Sequence, residues 1–428
     1  MASAIRPSTE RRSVATADGP RVAVVSRRVH PAHGPGGLES AVHDQVQHLA
    51  RAGVRVTLYS ESPLEASRAV DAAAAFERGV GVHWVPGNWL PIGRKRGTVV
   101  LDRNTNYPAW SLRVAAWLDD DVDVVHVHGL AGWGLARRSR RGRLRAPLLL
   151  TTHGMEEFRS PGRLKHLAYA PFRAGMRRVA RDSELVIATD RALFDSACRY
   201  HRIAASKVRV VPNVVNPEAC RAAADRQAAA ALLAEHGLED SDPLFVSVGR
   251  IAPNKGFDLL PQALARAGDR LPPGWGWLLV GDGPNRPELE AAIRNAGLGN
   301  RCRLAGFVAE EVKHGLLARA DWFVHPTLYE GSSLVTLEAM AHGLGVIASD
   351  TGGLRDKVLD GETGFLVQPG DIDALSAALL EAAATDRESL GAAGQALCEE
   401  SFSWRSAIPL YLDLYAELIE RHRGRSAG

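Results

Sequence analysis

Short apolar runs alternate with longer amphipathic stretches along most of the chain, and this rhythm predicts strand–helix–strand repetition. Arg21–Ser26 (RVAVVS) is short and β-branched, which reads as a buried strand. The spacing of Leu38, Ala41, Val42, Val46 and Leu49 predicts a helix that Gly53 ends. Val54–Tyr59, Val122–Val127, Leu148–Thr152, Glu184–Ala188 and Val208–Val211 read as further strands. Continuous apolar strands joined through helices imply a parallel sheet covered on both faces.

Pro212-Asn213 and Pro217 interrupt the rhythm, and beyond them it restarts. Leu244–Val248, Trp277–Val280, Arg303–Leu304, Trp322–His325, Val346–Ala348 and Gly364–Val367 read as strands. The clearest helices between them are Leu259–Ala267, Arg286–Ala296 and Leu334–Ala341. The expected organisation is a polar tail over 1–20, one domain over 21–215 and a second over 216–403. A helix over Trp404–Arg421 should pack back on the first domain. The length, 428 residues, suits two large domains. Two doubly wound sheets with their carboxyl ends facing each other make a cleft, and ligands bind beyond such strand ends.

Composition narrows the class. Hydrophobic residues at 46% and charged residues at 24% exclude a disordered or fibrous chain. No apolar run approaches the roughly 18 residues needed to span a bilayer. The first 20 residues lack the apolar core of a signal peptide. Cys198, Cys220, Cys302 and Cys398 have neither zinc nor redox spacing, which suits a reducing cytoplasm. Charge is uneven: residues 1–218 hold 33 Lys/Arg against 20 Asp/Glu, and residues 219–428 hold 19 against 29. The two halves are therefore expected to meet different partners. Much of the positive charge sits in Arg137–Arg145 (RRSRRGRLR), either a solvated turn or a weak contact with an anionic acceptor or the inner membrane face. Nucleic acid is not expected, because no aromatic residues interleave with these arginines.

The densest chemistry runs from His325 to Gly353 (HPTLYEGSSLVTLEAMAHGLGVIASDTGG). Glu330 and Glu338 on one continuous helix would be offset by roughly 80°, a poor acid–base pair. A helix starting after Ser332 or Ser333 and ending at Gly343 fits better. Glu330 then lies in the loop before it and Glu338 projects two turns in. The amides of Ser332, Ser333 and Leu334 would be free at a positive helix end, a site suited to a diphosphate. Arg250 and Lys255, in VSVGRIAPNK after a strand, could neutralise the same group. The turn in LVGDGP ends another strand. In the first half, GPGGLES is a glycine turn but not GxGxxG, which removes support from a nicotinamide enzyme. His128 and His153 both fall at strand ends.

These residues resemble the family 4 retaining glycosyltransferases, α/β proteins of the GT-B fold with two Rossmann-like domains. The resemblance is carried by Gly36-Gly37-x-Glu39, Gly249-Arg250 with Lys255-Gly256, Glu330-x7-Glu338 followed by Ala339-Met340-Ala341-x-Gly343, and Gly352-Gly353. It implies that Arg250 and Lys255 bind the donor diphosphate and that Glu330 faces the donor sugar. Glu338 would hold the ribose hydroxyls, and the amides from Gly331 through Ser332 and Ser333 to Leu334 would lie beneath phosphates and sugar. His153 would lie near the reacting sugar, Gly37 on the donor side, and Gly36, Glu39 and His128 on the acceptor side. Ser332-Ser333 stands where the family often has Phe-Gly, and Gly87–Asn106 matches nothing in it.

The implied reaction moves a hexose-type sugar from a nucleoside-diphosphate-sugar to an acceptor hydroxyl, on a glycan, a lipid-linked acceptor or a small molecule. Configuration would be retained. No cofactor is expected, and no metal, because no Asp-x-Asp motif is placed at the donor. The alternatives are a nucleotide-sugar epimerase, a sugar phosphorylase, or a non-catalytic nucleotide-sugar binding protein.

Overall fold

A computed structural model describes residues 19–34, 36–63, 73–77, 79–87, 99–158 and 162–426. Most of the expected tail, Pro35 of the glycine turn and the centre of 87–106 lie outside the described residues. The first lobe is a seven-stranded parallel sheet of β1 (Arg21–Val25), β2 (Arg55–Glu61), β3 (Gly81–Val85), β4 (Val124–His128), β5 (Leu148–Thr152), β6 (Leu185–Ala188) and β7 (Val208–Val210). Their order is β3-β2-β1-β4-β5-β6-β7. The second lobe is a six-stranded parallel sheet of β8 (Leu244–Val248), β9 (Gly276–Val280), β10 (Cys302–Gly306), β11 (Trp322–His325), β12 (Gly345–Ser349) and β13 (Gly364–Val367), in the order β10-β9-β8-β11-β12-β13.

This is the doubly wound α/β architecture expected from the rhythm, twice over. Strands such as β4, β5, β8 and β12 are buried along their whole length, which is why they read as unbroken apolar runs. The one described strand that the pattern did not name, β3, lies at the edge of the first sheet. β3 alternates exposed and half-buried positions, and the helices Val99–Asn104 and Asn106–Trp117 follow it. In each sheet the strand order reverses once, between β1 and β4 and between β8 and β11. Loops after two such strands diverge to opposite faces and leave a crevice. The loop after β8 carries Arg250 and Lys255; the loop after β11 carries Glu330.

The long helix Trp404–Ser426 belongs to the core of the first lobe. Trp404, Ala407, Tyr411, Leu414, Tyr415 and Leu418 pack there with residues of β1, β2 and β4 and with the helix Gly37–Arg51. The Tyr415 hydroxyl lies 2.9 Å from His126 Nδ1, giving two buried polar groups a partner. The chain crosses between lobes beside a second contact, Val215 N donating to Phe402 O at 3.0 Å. Among the described residues no helix is long and apolar enough to cross a membrane.

Because this helix completes the first lobe's core, Leu414→Ala should destabilise the protein by about 2–5 kcal/mol. Leu410→Ala, at a 40% exposed position of the same helix, should change stability by no more than about 0.5 kcal/mol. Urea midpoints measure both; equal effects would show that the helix does not complete that core.

Candidate active site

Glu330 sits at the centre of the working edge of the second lobe. Its Oε2 accepts from Lys255 Nζ at 2.5 Å and from His325 Nε2 at 2.9 Å, and its Oε1 accepts from the Gly331 amide at 3.1 Å. Since a carboxylate only accepts, the His325 proton is on Nε2. Burial alone would raise the carboxyl pKa; Lys255 and His325 overcome it and hold the group well below the usual carboxylate range. Lys255 is thus paired with Glu330, at 21% and 12% side-chain exposure. Arg250 is exposed and has no hydrogen bond or ion pair to a described residue.

The helix after Glu330 runs Leu334–Ala341 with Ser333 as its N-cap. Ser333 Oγ accepts from Thr336 N at 3.3 Å and from Thr336 Oγ1 at 2.8 Å, so both of its lone pairs are used within the cap. No described residue accepts from the amides of Ser332, Ser333 or Leu334. They are the orphan donors of a helix start, next to the Glu330 loop. Glu338 lies one turn into the helix, nearer its start than the sequence reading placed it, with Lys313 Nζ 2.7 Å from its Oε2. Burial followed by the Glu338 charge pushes Asp44, on the helix Gly37–Arg51 of the other lobe, up to about 6.

The first lobe reaches this edge through the loop after β5. A Cβ on Gly331 would lie 3.0 Å from the Gly154 Cα, a tight contact that a larger residue could make only if the neighbouring backbone gave by a few tenths of an ångström. Beside them Met155 N donates to the Tyr329 hydroxyl at 3.0 Å. Gly352 is constrained from the other side: it has φ +55°, and a Cβ there would strike the Glu330 carbonyl.

His153 Nε2 shares a hydrogen bond with His128 Nδ1 at 2.7 Å. His126, His128 and His153 form a stack with ring centroids 4.9 and 5.0 Å apart. His128 is only 2% exposed and backs His153 from below, so the acceptor-side contact expected of it would have to run through His153. Burial pushes His153 down to about 4 and His126 down to about 3, and burial with the neighbouring His126 and His153 holds His128 well below the usual imidazole range, so all three are neutral near pH 7. Gly36 caps the helix Gly37–Arg51 in extended conformation, and a Cβ there would strike the Glu39 carboxylate, which folds back over the helix start. Gly37 is exposed with open space around its Cα. Arg137, Arg140, Arg141, Arg143 and Arg145 are exposed, while Arg138 pairs with Asp120 at 2.6 Å.

Sequence reasoning missed Tyr329, Asp190 and Lys357. Asp190 lies just beyond the end of β6, the same kind of position that drew attention to His128 and His153.

Two parallel Rossmann-like sheets with their carboxyl ends closed on each other, a charged crevice between, define the GT-B class of glycosyltransferases. Models of that class match both lobes: "Glycosyltransferase Family 4" over residues 35–219 and "Glycosyl transferases group 1" over residues 230–396. A D-inositol 3-phosphate glycosyltransferase of Xylanimonas cellulosilytica is 30% identical over 441 residues, covering 95% of this chain and 99% of the relative. The chain belongs to glycosyltransferase family 4, and it is an enzyme of the sugar-transferring class. Solved structures share the fold. Sucrose-phosphate synthase from Thermosynechococcus elongatus superposes with a TM-score of 0.74 at 23% identity, covering 94% of this chain and all of that one. Anabaena Alr3699/HepE in complex with UDP-glucose gives 0.70 at 21% identity, covering 93% of this chain and all of that one.

The histidine stack predicts an acid-sensitive fold. An unfolded chain takes up these protons near pH 6.5, and the folded one takes up those of His153 and His126 only near pH 4 and 3, so stability falls as pH drops across that range. His153→Gln should flatten the fall in urea midpoint between pH 6.5 and 4. An unchanged slope would mean that burial does not lower the pKa of His153 in the folded chain.

Proposed function

We propose that the protein is a retaining hexosyltransferase that moves a sugar from a nucleoside-diphosphate-sugar to an acceptor hydroxyl, without a metal. The carrying observation is the amide triplet Ser332, Ser333 and Leu334, for which no described residue is an acceptor, set at the switch point of the second sheet with Arg250, which pairs with no described residue, on the neighbouring loop. That is a ready anion site. Residues 216–403 form the donor lobe and residues 21–215 the acceptor lobe. The solved complex of HepE with UDP-glucose, alike in fold, supports a donor of this type.

Charge grows on the diphosphate as the bond from the sugar C1 to the β-phosphate oxygen breaks. Preorganised donors aimed at that charge lower the barrier, commonly the largest catalytic contribution. Arg250 and the triplet provide them. Lys255 serves two oxygens, the Glu330 carboxylate and the phosphate beside it. The acceptor oxygen bonds to C1 on the face the diphosphate leaves, and its proton passes to the departing phosphate oxygen. Glu330, ionised and clamped, accepts from donor-sugar hydroxyls and orients the ring. Neutral His153 faces the sugar with Nδ1, its other nitrogen being held by His128. Glu338 accepts from the ribose hydroxyls, with Lys313 fixing its carboxylate. Gly36, Gly37 and Glu39 form the turn where donor and acceptor meet.

The acceptor is a glycan, a lipid-linked compound or a small molecule taken up by the basic lobe. The exposed arginines between 137 and 145 support a weak contact with the anionic inner membrane face, of a kind that added salt abolishes. An epimerase would need no acceptor, and a phosphorylase would need free phosphate.

A thermal-shift screen with UDP, GDP, ADP and dTDP and their sugars should find one nucleotide that raises the melting temperature. On that donor, Arg250→Ala and Glu330→Gln should each lower kcat/KM by about 10²–10³-fold. Wild-type kcat/KM in both variants would overturn the assignment.

A further inference from the structure

A carboxylate from one lobe and an ammonium from the other meet out of solvent beside the donor loop. Asp190 lies just beyond β6; Lys357 ends the helix Leu354–Lys357 of the second lobe. Lys357 Nζ is paired with Asp190 Oδ1, and both side chains are 0% exposed. The same Nζ lies 3.2 Å from Ser332 Oγ and 3.2 Å from the Gly353 carbonyl, and 5.4 Å from the centre of the Phe402 ring. One ammonium therefore gathers four pieces: the first lobe, the loop before the donor helix, the glycine turn, and the segment where the chain returns to the first lobe.

The surroundings are built for it. A Cβ on Gly353 would strike the Asp190 carboxylate. The Gly353 amide donates to the Gly331 carbonyl at 2.9 Å, tying this turn to the residue that touches Gly154. Two residues along, the Ala192 amide donates to Asp356 Oδ2 at 2.9 Å, a second bond across the lobes.

Neither ion tolerates burial alone. If the lobes part, Asp190 and Lys357 must both return to water, so the pair forms only with the cleft closed. Lys357 is a donor with no acceptor capacity, so it takes an oxygen lone pair of Ser332 and turns that hydroxyl's proton away from itself.

We propose that Asp190 and Lys357 are a cross-lobe latch that couples closure to the position of the Ser332 hydroxyl beneath the donor sugar. They are positioning residues, and the inference rests on the donor site proposed above. The latch governs turnover and the choice of donor sugar, and it leaves nucleotide affinity to Arg250 and the free amides.

The test uses the full chain with Asp190→Asn, Lys357→Met, Asp190→Glu and the wild type. Calorimetry gives the Kd of the nucleoside diphosphate found in the screen; steady-state kinetics give kcat and KM for its sugars. Asp190→Asn and Lys357→Met should lower kcat by about 10–100-fold, the scale of a misplaced reacting group. Both should narrow the preference among donor sugars while leaving the diphosphate Kd within about threefold. Asp190→Glu, keeping the charge, should recover part of kcat. Asp190→Asn is nearly isosteric and carries the test by itself should Lys357→Met fail to fold. If both variants keep wild-type kcat and donor preference while the wild type binds and turns over, the latch is refuted and the donor site stands. If the diphosphate does not bind the wild type at all, the donor site fails first.

Discussion

A carboxylate sealed into the end of a parallel sheet has to be given its counter-charges by the fold, and Glu330 is that carboxylate. Lys255 from the loop after β8 and His325 from the end of β11 supply them. Those two strands are neighbours because the sheet reverses its order between them. Topology therefore decides the chemistry: only at that reversal do two outgoing loops face each other with space between. With Glu330 clamped, its own chain turns at Gly331 and enters the helix through Ser333. That leaves three amides for which no described residue is an acceptor, beside Lys255 and Arg250.

The second lobe does not finish this arrangement unaided. Gly331 meets Gly154, Tyr329 meets Met155, and Lys357 meets Asp190, all three on the same stretch of the interface. Gly331 lets two backbones come close there, and a buried ion pair joins the same two lobes. The histidine stack extends the coupling backwards. His153 rests on His128, which stacks on His126, whose partner Tyr415 belongs to the terminal helix. A helix at the far end of the chain thus helps hold an imidazole at the cleft.

Much of this was legible in the residues. Strands buried on both faces are unbroken apolar runs, so RVAVVS, LLLTT and LFVSV announced themselves, and a capping serine followed by an apolar helix placed Glu330 before the helix. β3 escaped because an edge strand with half-exposed positions has no such run. The pairing of Lys255 with Glu330 could not be read from a separation of 75 residues, nor could Asp190 with Lys357 across 167. Periodicity reports on which face of an element is buried; it says nothing about which charges two loops bring together. For the same reason His128 looked like a cleft residue at a strand end, when its ring is covered by His153.

The most direct measurement is a crystal structure of the protein with the nucleoside diphosphate it binds. The β-phosphate should lie within hydrogen-bond distance of the amides of Ser332 to Leu334 and of the Arg250 guanidinium. A diphosphate bound elsewhere, with those amides facing water and Arg250 free, would contradict it.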